Sequence, residues 1–405
     1  MREELKPKLR FNNFKTPWKQ SLLMDQVEIR RGLTYKPSDV RSSGVRVLRS
    51  SNIVDDTFIL SDDDVFVDKG VVNIPKISNG DILVTAANGS TKLVGKHAIL
   101  KNLPDDEIVV HGGFMLLFKT EQNYFVNAWM SSNEYKQVLQ FVQGGNGAIG
   151  NLSSTVLKSM KMSFPSVREQ SSIGSLFRTL DDLLASYKDN LANYQSLKAS
   201  MLSKMFPKAG QTVPEIRLDG FDGEWEIKRA DEIFKSVSEK NRASLPVLSA
   251  SQIDGMVLRD EIGIDIKYDE ATLNNYKVVK PGQFVIHLRS FQGGFALSKL
   301  EGITSPAYTI IDFIDKSNNL PDFWNSILTS GDFIKRLETV TYGIRDGKSI
   351  SFKDFSSMKF IFPEFKEQQA IGSYFSNLDK LISSYQEKIS QLETLKKKLL
   401  QDMFI

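Results

Sequence analysis

The chain has 405 residues, of which 41% are hydrophobic and 25% are charged, with 52 Lys and Arg against 49 Asp and Glu. This composition is typical of a globular protein with two or three domains. The absence of cysteine excludes disulfides and thiolate chemistry, and the three histidines, His97, His111 and His287, lack the spacing of a zinc site. A formal charge of only +3 argues against a protein that holds nucleic acid by bulk charge alone.

The sequence predicts a cytoplasmic protein with no membrane partner. Its first residues lack the apolar segment of a signal peptide, and no later run approaches the roughly 18 apolar residues of a membrane span. The lack of cysteine agrees with a reducing compartment, where disulfides are rare.

Residues 1–163 predict a mixed α and β domain. Residues 81–86 follow a Ser-Asn-Gly turn signal and predict a strand, residues 125–141 have apolar positions at helical spacing, and residues 160–164 predict another strand. Residues 164–206 then predict one long helix, because apolar residues recur every three or four positions after Pro165. At about 40 residues, this helix would be roughly 60 Å long.

The same order of elements follows in the second half. Residues 207–361 predict another mixed domain, with a strand at 283–288 and a helical stretch at 323–340. Residues 362–405 predict a second long helix. The fold class is therefore α+β, with two mixed α/β domains in a tandem pseudo-repeat, each followed by a long α-helix.

The repeat is visible in the residues themselves. Residues 164–206 align without a gap on residues 362–404, and 18 of the 43 positions are identical. A second match opens each half, where Pro7, Arg10, Phe14 and Trp18 correspond to Pro214, Arg217, Phe221 and Trp225. Between these matches the two halves share only the pattern of apolar and polar residues, so the copies have the same order of elements and different residues within them.

The two long helices are predicted to pair as an antiparallel coiled coil, because a helix of this length has too little neighbouring domain to bury its apolar stripe. The predicted seam consists of Leu180, Leu184, Tyr187, Leu191, Leu378, Ile382, Tyr385 and Ile389. The alternative is that each helix packs only on its own domain. Glu169-Gln170 and Glu367-Gln368 are expected to cap the helix starts, or else to contact a partner.

Motifs for catalysis are weak. Residues 145–150 spell GxGxxG, yet no helix pattern follows directly and the repeat counterpart at 343–348 lacks the glycines, so a cofactor loop is not predicted. A metal-dependent nuclease using Asp254, Asp265 and Lys267 is kept as an alternative to exposed charges that flank a predicted strand at 262–266. Neither a phosphate loop nor an amino-methyltransferase motif is present. The sequence thus predicts no catalytic residue and no metal site.

Two similar, non-identical domains separated by a helical spacer are typical of a protein that reads two different short half-sites on DNA. The repeated motif also resembles that of the specificity (S) subunits of type I restriction-modification enzymes. It reads Phe164-Pro165, Glu169-Gln170, Ile173-Gly174, Phe177 and Leu180-Asp181, and again Phe362-Pro363, Glu367-Gln368, Ile371-Gly372, Phe375 and Leu378-Asp379. The resemblance covers the whole chain.

The resemblance implies a non-catalytic subunit whose target recognition domains each read one half of a bipartite DNA sequence. It implies that the conserved helices bind two methyltransferase (M) subunits and that restriction and translocase (R) subunits join the complex. S-adenosylmethionine, ATP and Mg would belong to those partners, and this chain would bind no cofactor. A remaining alternative is a structural protein that kept the duplicated helices and recognises no sequence.

Candidate base readers lie on loops that follow equivalent strands and on loops before each long helix, because readout requires donors and acceptors beside backbone that can approach the bases. The predicted DNA-binding residues are Asn88, Ser90, Thr91, Lys92, Asn146, Arg289, Ser290, Gln292, Arg345 and Lys348. Asn146 and Arg345 are the preferred base readers and Lys348 a phosphate contact. For Arg41, Arg46 and Arg49, a solvated face and phosphate contacts are equally good interpretations.

Overall fold

The computed structural model describes residues 5–143, 151–251, 254–262, 270–287, 294–340 and 351–405. The chain forms two compact units. Unit 1 consists of residues 1–188 and 387–405, and unit 2 of residues 189–386. Each unit therefore combines a mixed domain with parts of both long helices, and the domain boundaries at 163, 206 and 361 remain predictions.

Unit 1 begins with short strands, continues through three helices and ends in a long one. The strands are β1 Lys19–Leu22, β2 Glu28–Arg31, β3 Val40–Arg41, β4 Val45–Leu48, β5 Ile53–Val54, β6 Thr57–Phe58, β7 Val65–Val67, β8 Ile82–Thr85, β9 His97–Ile99, β10 Val109–His111, β11 Met115–Lys119 and β12 Lys161–Phe164. The helices are α1 Asn123–Ser131, α2 Asn133–Gln143, α3 Ser154–Ser159 and α4 Val167–Lys204.

Two four-stranded sheets organise this unit. One has the order β2-β11-β8-β9 and is antiparallel, and the other has the order β10-β4-β7-β3 with a parallel β10–β4 pair. The first sheet is buried on both faces. Alternate residues point to opposite sides of a strand, so one strand contributes to two apolar clusters. Leu116 and Phe118 face the core that includes α1, whereas Met115 and Leu117 face a second apolar cluster.

Unit 2 repeats this plan. Its strands are β13 Glu226–Arg229, β14 Phe234–Val237, β15 Leu248–Ser251, β16 Gly255–Leu258, β17 Lys277–Val279, β18 Phe284–Ile286, β19 Phe295–Leu297, β20 Gly302–Thr304, β21 Thr309–Phe313 and β22 Lys359–Phe362. Its helices are α5 Ala230–Ile233, α6 Pro321–Leu328, α7 Gly331–Val340, α8 Phe352–Ser356 and α9 Phe365–Asp402. The sheet β14-β21-β18-β19 matches β2-β11-β8-β9 of unit 1.

The predicted elements are largely confirmed. The strands predicted at 81–86, 160–164 and 283–288 are β8, β12 and β18, and the long helices α4 and α9 have 38 residues each. The helical stretches at 125–141 and 323–340 are each two helices, α1–α2 and α6–α7. Ser132 ends α1 in an extended conformation, which breaks the first stretch.

The long helices run antiparallel within each unit. In unit 1, Asp181 of α4 pairs with Lys396 of α9 at 2.7 Å, and Lys188 pairs with Glu393 at 2.8 Å. As residue numbers rise along α4, those of the partner helix fall, which defines the antiparallel direction.

Unit 2 shows the same direction. The rings of Tyr194 and Tyr385 lie 5.4 Å apart, and Lys198 forms an ion pair with Asp379. The predicted fold, two mixed domains with long helices paired in antiparallel fashion, is therefore confirmed. The alternative packing also contributes, because Phe177 and Leu180 of α4 lie in the core of unit 1.

The end of each long helix completes a core. The ring of Phe404 lies 6.3 Å from Trp18, 5.6 Å from Phe125 and 5.9 Å from Phe177 in unit 1. In unit 2 the corresponding Phe206 lies near three aromatic side chains, Trp225, Phe323 and Phe375, at 6.0, 5.8 and 6.0 Å. The repeated Met-Phe pairs at the helix ends are thus core residues.

Among the described residues, no helix combines the length and the apolar run needed to cross a bilayer. The same part of the chain contains no group of three or more His, Asp or Glu side chains arranged to hold a metal ion. His97 and His111 are buried in unit 1.

Candidate nucleic-acid interface

The loop after β8 holds the first four predicted DNA-binding residues. Ser90 and Lys92 are exposed, whereas Asn88 and Thr91 are half-buried. The Asn88 side chain is occupied within the protein, because its Oδ1 accepts from the Ser90 amide at 2.9 Å and its Nδ2 donates to Ser50 Oγ at 3.1 Å. Asn88 therefore shapes this loop, and Ser90 and Lys92 are the members of the set that face solvent.

The other predicted readers, Asn146, Arg289, Ser290, Gln292, Arg345 and Lys348, lie outside the described residues. The GxGxxG motif at 145–150 lies outside them too, as do Asp265 and Lys267 of the alternative nuclease site. Asp254, the remaining member of that site, is exposed and bonded within a turn, where Ser251 Oγ donates to its carboxylate at 3.1 Å. The predicted strand at 262–266 is wrong at its first residue, because Ile262 ends a 3-10 turn that starts at Arg259.

Four segments of unit 1 converge around the loop after β8. The backbone amides of Ala86 and Ala87 donate to the Phe114 carbonyl at 2.9 and 3.1 Å, and the Leu152 amide donates to the Ala86 carbonyl at 2.8 Å. The Leu33 amide donates to the His111 carbonyl at 2.7 Å. We refer to the four segments, residues 29–36, 85–97, 109–118 and 151–160, as the acid-free loop cluster.

Close backbone approach holds the cluster together. A Cβ atom at Gly32 would lie 2.0 Å from the Gly112 carbonyl oxygen, so only glycine permits this contact between two of the segments. The Arg31 guanidinium adds a link to the fourth segment by donating to Ser154 Oγ. The loops are therefore packed against one another rather than independent.

The charge of the cluster is one-sided. Its segments contain Arg30, Arg31, Lys36, Lys92, Lys96 and Lys158 and no Asp or Glu, although the whole chain is nearly balanced. Arg30 pairs with Glu28 at 2.6 Å and Lys96 donates to the Ile53 carbonyl at 2.7 Å, so these two are occupied within the protein. Arg31, Lys36, Lys92 and Lys158 are exposed. A local concentration of positive charge without carboxylates favours an anionic partner such as DNA.

Arg46 of the neighbouring strand β4 does not extend this surface. Arg46 is 13% exposed and is held by Asp64 at 2.8 Å and by Glu107 at 2.7 Å. Hydrogen bonding to Glu107, ahead of the effect of Asp64, raises the pKa of the Arg46 guanidinium above its usual value. Two carboxylates thus neutralise Arg46 within the protein, whereas the phosphate contact stays a prediction.

The acidic residues at the helix starts have a structural role other than the predicted cap. Glu169 is buried, and its two carboxylate oxygens accept from Arg10 Nε and Nη2, each at 2.7 Å. Glu367 accepts from Arg217 in the same way, at 2.8 and 2.7 Å. The predicted capping is wrong because a bidentate, charge-assisted contact occupies each carboxylate. The neighbouring Gln170 donates to the Pro165 carbonyl at 3.0 Å.

The predicted seam residues vary in burial. Leu180, Leu184, Leu378 and Ile389 are buried, and Tyr187, Leu191, Ile382 and Tyr385 are half-buried. Tyr385 contacts Tyr194, which the predicted seam did not include. The membership of the seam remains a prediction.

Sequence reasoning missed two prominent residues of the cluster, Arg31 and Phe114. Phe114 is 75% exposed and follows Gly112-Gly113. It directly precedes the apolar residues of β11, which are buried. The two glycines before it were the signal of a turn that could have separated Phe114 from the strand.

Comparison with known proteins shows what this chain is similar to. Residues 223–394 match the model of the type I restriction modification DNA specificity domain. The chain is 23% identical over 271 residues to the type I restriction enzyme MjaVIII specificity subunit of Methanocaldococcus jannaschii, covering 62% of this chain and 63% of that protein. It is 28% identical over 188 residues to the EcoKI specificity subunit of Escherichia coli, covering 44% of this chain and 40% of that protein.

The chain thus spans less than two thirds of the length of these curated relatives. Among solved structures, the S subunit of a type I restriction-modification system from M. genitalium has the same fold, with a TM-score of 0.63 and 14% identity over 99% of both chains. Residues 223–394 therefore resemble the type I restriction modification DNA specificity domain, and the resemblance predicted from the repeated motif is confirmed. Both curated relatives are specificity subunits of type I restriction enzymes.

Proposed function

We propose, from its similarity to type I specificity subunits, that this chain is the DNA sequence-specificity subunit of a type I restriction-modification complex. It reads an asymmetric bipartite target, with one half-site for each recognition domain. The helices dock two M subunits, and R subunits join the full complex. The partner subunits bind S-adenosylmethionine, ATP and Mg, and this chain binds none of them.

The observation that carries the proposal is a duplicated frame with divergent loops. The helices α4 and α9 have the same length of 38 residues and lie within matched segments that are identical at 18 of 43 positions. The loops after the equivalent strands β8 and β18 differ, because one contains Asn88, Ser90 and Lys92 and the other contains Arg289 and Gln292. Loops that carry different donors and acceptors select different bases. The two domains therefore read different half-sites.

In unit 1, the acid-free loop cluster supplies the DNA contacts. Lys92 and Arg31 are exposed cations that neutralise phosphates, and Ser90 donates or accepts at a base edge or the backbone. Thr91 lies beside them in the same loop. Asn88 holds the loop shape through its own hydrogen bonds.

In unit 2, Arg345 and Arg289 read guanine and Gln292 reads adenine, since guanidinium and amide groups match those base edges. Asn146 has the corresponding role in the first domain. Ser290 and Lys348 contact the sugar-phosphate backbone. These assignments follow from residue type and position in the repeat.

The repeated helices provide equivalent binding positions for two identical partners. The seam residues on facing sides of α4 and α9 hold the helices together, which leaves their outer faces for the M subunits. Because the motifs at 164–181 and 362–379 match, one M subunit binds beside each of them. The stoichiometry is therefore two M subunits for each copy of this chain.

Selection from random duplexes tests the proposed function. The chain is co-purified with its M subunit, and bound DNA is selected from a library at two salt concentrations. The expected product is one motif with two conserved parts separated by a gap of constant length. If the complex is stable but enriches no motif, sequence recognition would be contradicted. Mg-dependent cleavage by the chain alone, lost in Asp265→Ala, would favour the nuclease alternative.

A further inference from the structure

Phe114 is an aromatic residue at the tip of the acid-free loop cluster. Its side chain is 75% exposed, more than any other large apolar side chain in the part of the chain that the structure describes. It follows Gly112-Gly113, between β10 and β11. Exposure of most of a phenylalanine ring to water is unfavourable, so its position requires an explanation.

The backbone of Phe114 is firmly held although its ring is free of the core. Its carbonyl accepts from the amides of Ala86 and Ala87, and the next residue, Met115, is 1% exposed. The Met115 amide donates to the Gly112 carbonyl at 2.8 Å, which closes the turn. The ring is therefore presented from a rigid base, which reduces the entropy lost when it binds.

The charges of the segments that present the ring favour an anionic partner over a neutral or basic protein surface, and DNA is the anionic partner of the proposed function. The cluster that presents Phe114 contains the exposed cations Arg31, Lys36 and Lys92 and no carboxylate. Cations of this kind bind phosphates on both sides of a groove, and an apolar side chain between them reaches the bases. Proteins that bend DNA use phenylalanine as a wedge between base steps in this way.

The equivalent position in unit 2 shows that the fold does not need the ring. Phe118 pairs with Ile82 in unit 1, and Ile311 pairs with Phe284 in unit 2. Ile82 and Phe284 are equivalent in the repeat, so their strand partners Phe118 and Ile311 are equivalent too. Phe114 and Ala307 each lie four residues before these partners and therefore occupy the same position in the repeat. Ala307 is exposed as well. An alanine at this position is therefore compatible with the same turn.

We propose that Phe114 is an apolar wedge that inserts between two stacked base pairs of the half-site bound by unit 1. Insertion unstacks one base step and bends the duplex there, and Ala307 at the equivalent position of unit 2 is too small to act as such a wedge. The inference rests on the proposed function and deepens it, since it assigns part of the specificity to the deformability of the DNA.

The experiment uses the complex with the M subunit and its selected target. Adenines are replaced one at a time by 2-aminopurine, whose fluorescence rises on unstacking, and unstacked thymines are detected with permanganate. The variants are Phe114→Ala, Phe114→Leu as a wedge of similar chemistry, and Val40→Ala as a control, since Val40 is 42% exposed in unit 1 outside the cluster. Thermal unfolding is measured for each.

The expected result is an unstacking signal at one step that disappears in Phe114→Ala and remains in Phe114→Leu and Val40→Ala. Phe114→Ala should weaken specific binding about tenfold, as the loss of one stacked base would, with an unchanged melting temperature. A methyltransferase extrudes its target base from the duplex, and this also produces an unstacking signal. That second signal should persist in every variant, because the M subunit and not Phe114 causes it.

Identical signals and affinities in wild type and Phe114→Ala, with a specific motif still bound, would overturn the wedge and leave the proposed function intact. A second result would overturn the wedge in favour of a contact between Phe114 and a thymine methyl group. In that case Phe114→Ala would lose affinity, replacement of thymine by uracil would cause the same loss, and no unstacking signal would be seen. Loss of the M subunit from Phe114→Ala on purification would overturn it in favour of a protein contact. A wild-type complex without any sequence preference would overturn both proposals.

Discussion

Arg10 binds both carboxylate oxygens of Glu169, a residue 159 positions later in the chain. The two side chains are 9% and 1% exposed, and Trp18 Nε1 also donates to Glu169, at 3.3 Å. The contact joins the opening motif of unit 1 to the start of α4. The duplicate contact between Arg217 and Glu367 has side chains that are 15% and 1% exposed.

Replacing Glu169 by Gln should destabilise unit 1 by about 3 kcal/mol, because it leaves the Arg10 charge partly buried and unpaired. Hydrogen exchange of unit 1 peptides in increasing urea measures the change and separates it from unit 2. Arg30→Ala is the matched control, since its pair with Glu28 is 34% and 58% exposed and is screened by solvent, so its loss should have little effect. Equal effects of the two substitutions would contradict a structural role for the buried pair.

Phe404→Ala should destabilise unit 1 by about 3 to 5 kcal/mol, because it removes a ring that contacts Trp18, Phe125 and Phe177. The same exchange experiment should show faster exchange in α1. Ile405→Ala, at a side chain that is 39% exposed, is the control and should have little effect. Unchanged protection of α1 in Phe404→Ala would mean that the helix end is not part of this core.

Unit 1 should lose stability when the pH falls below about 6.5, the ordinary value for histidine. Burial lowers the pKa of His97 in the folded protein, so the unfolded chain takes up a proton that the folded chain resists. The stability contribution is therefore complete above the unfolded pKa and decreases as the pH falls through it, by at most about 1.4 kcal/mol per pH unit for one group. His97→Gln should reduce the slope of stability against pH between 7.5 and 5.5. An unchanged slope in His97→Gln would contradict this role. Burial also lowers the pKa of His111, so His111 accounts for part of the pH dependence that remains in the variant.

Lys92→Ala should weaken DNA binding to all sequences about equally and reduce the slope of log affinity against log salt by about 1, because one phosphate contact is lost. Binding is measured by titration of the complex on specific and random duplexes at several salt concentrations. Lys69→Ala removes an exposed lysine of the same unit outside the acid-free loop cluster and should leave the slope unchanged. Equal slopes for both variants and wild type would remove Lys92 from the interface.

Arg345→Ala should cost about 1 to 3 kcal/mol at one half-site and relax the sequence there, while the other half-site stays selective. Selection from random duplexes with wild type and variant gives both motifs directly. Relaxation of both half-sites together would contradict the assignment of one half-site to each domain. No change in affinity or motif would exclude Arg345 as a base reader.

The frame of the molecule was predictable because it is periodic and repeated. Pro165 and Pro363 mark the helix starts, and the apolar spacing that follows them gives helices of the observed length. The pairing of Arg10 with Glu169 was not predictable, although both residues belong to repeated motifs, because spacing along the chain carries no information about a contact between distant residues.

The interface was less predictable than the frame. Asn88 has the chemistry of a base reader, yet its amide is used by Ser90 and Ser50, and only the loop geometry reveals this. Arg46 belongs to a basic triplet in sequence but is neutralised by Asp64 and Glu107 from other strands. Loop residues have roles that depend on tertiary neighbours, which one sequence does not specify.

The most direct test of the central claim is single-molecule sequencing of DNA from cells that express a cognate M subunit with or without this chain. The proposed function predicts a split motif, methylated in both half-sites, that occurs only when this chain is present. Methylation that is independent of the chain, or absent although the two proteins co-purify, would contradict its role as a specificity subunit.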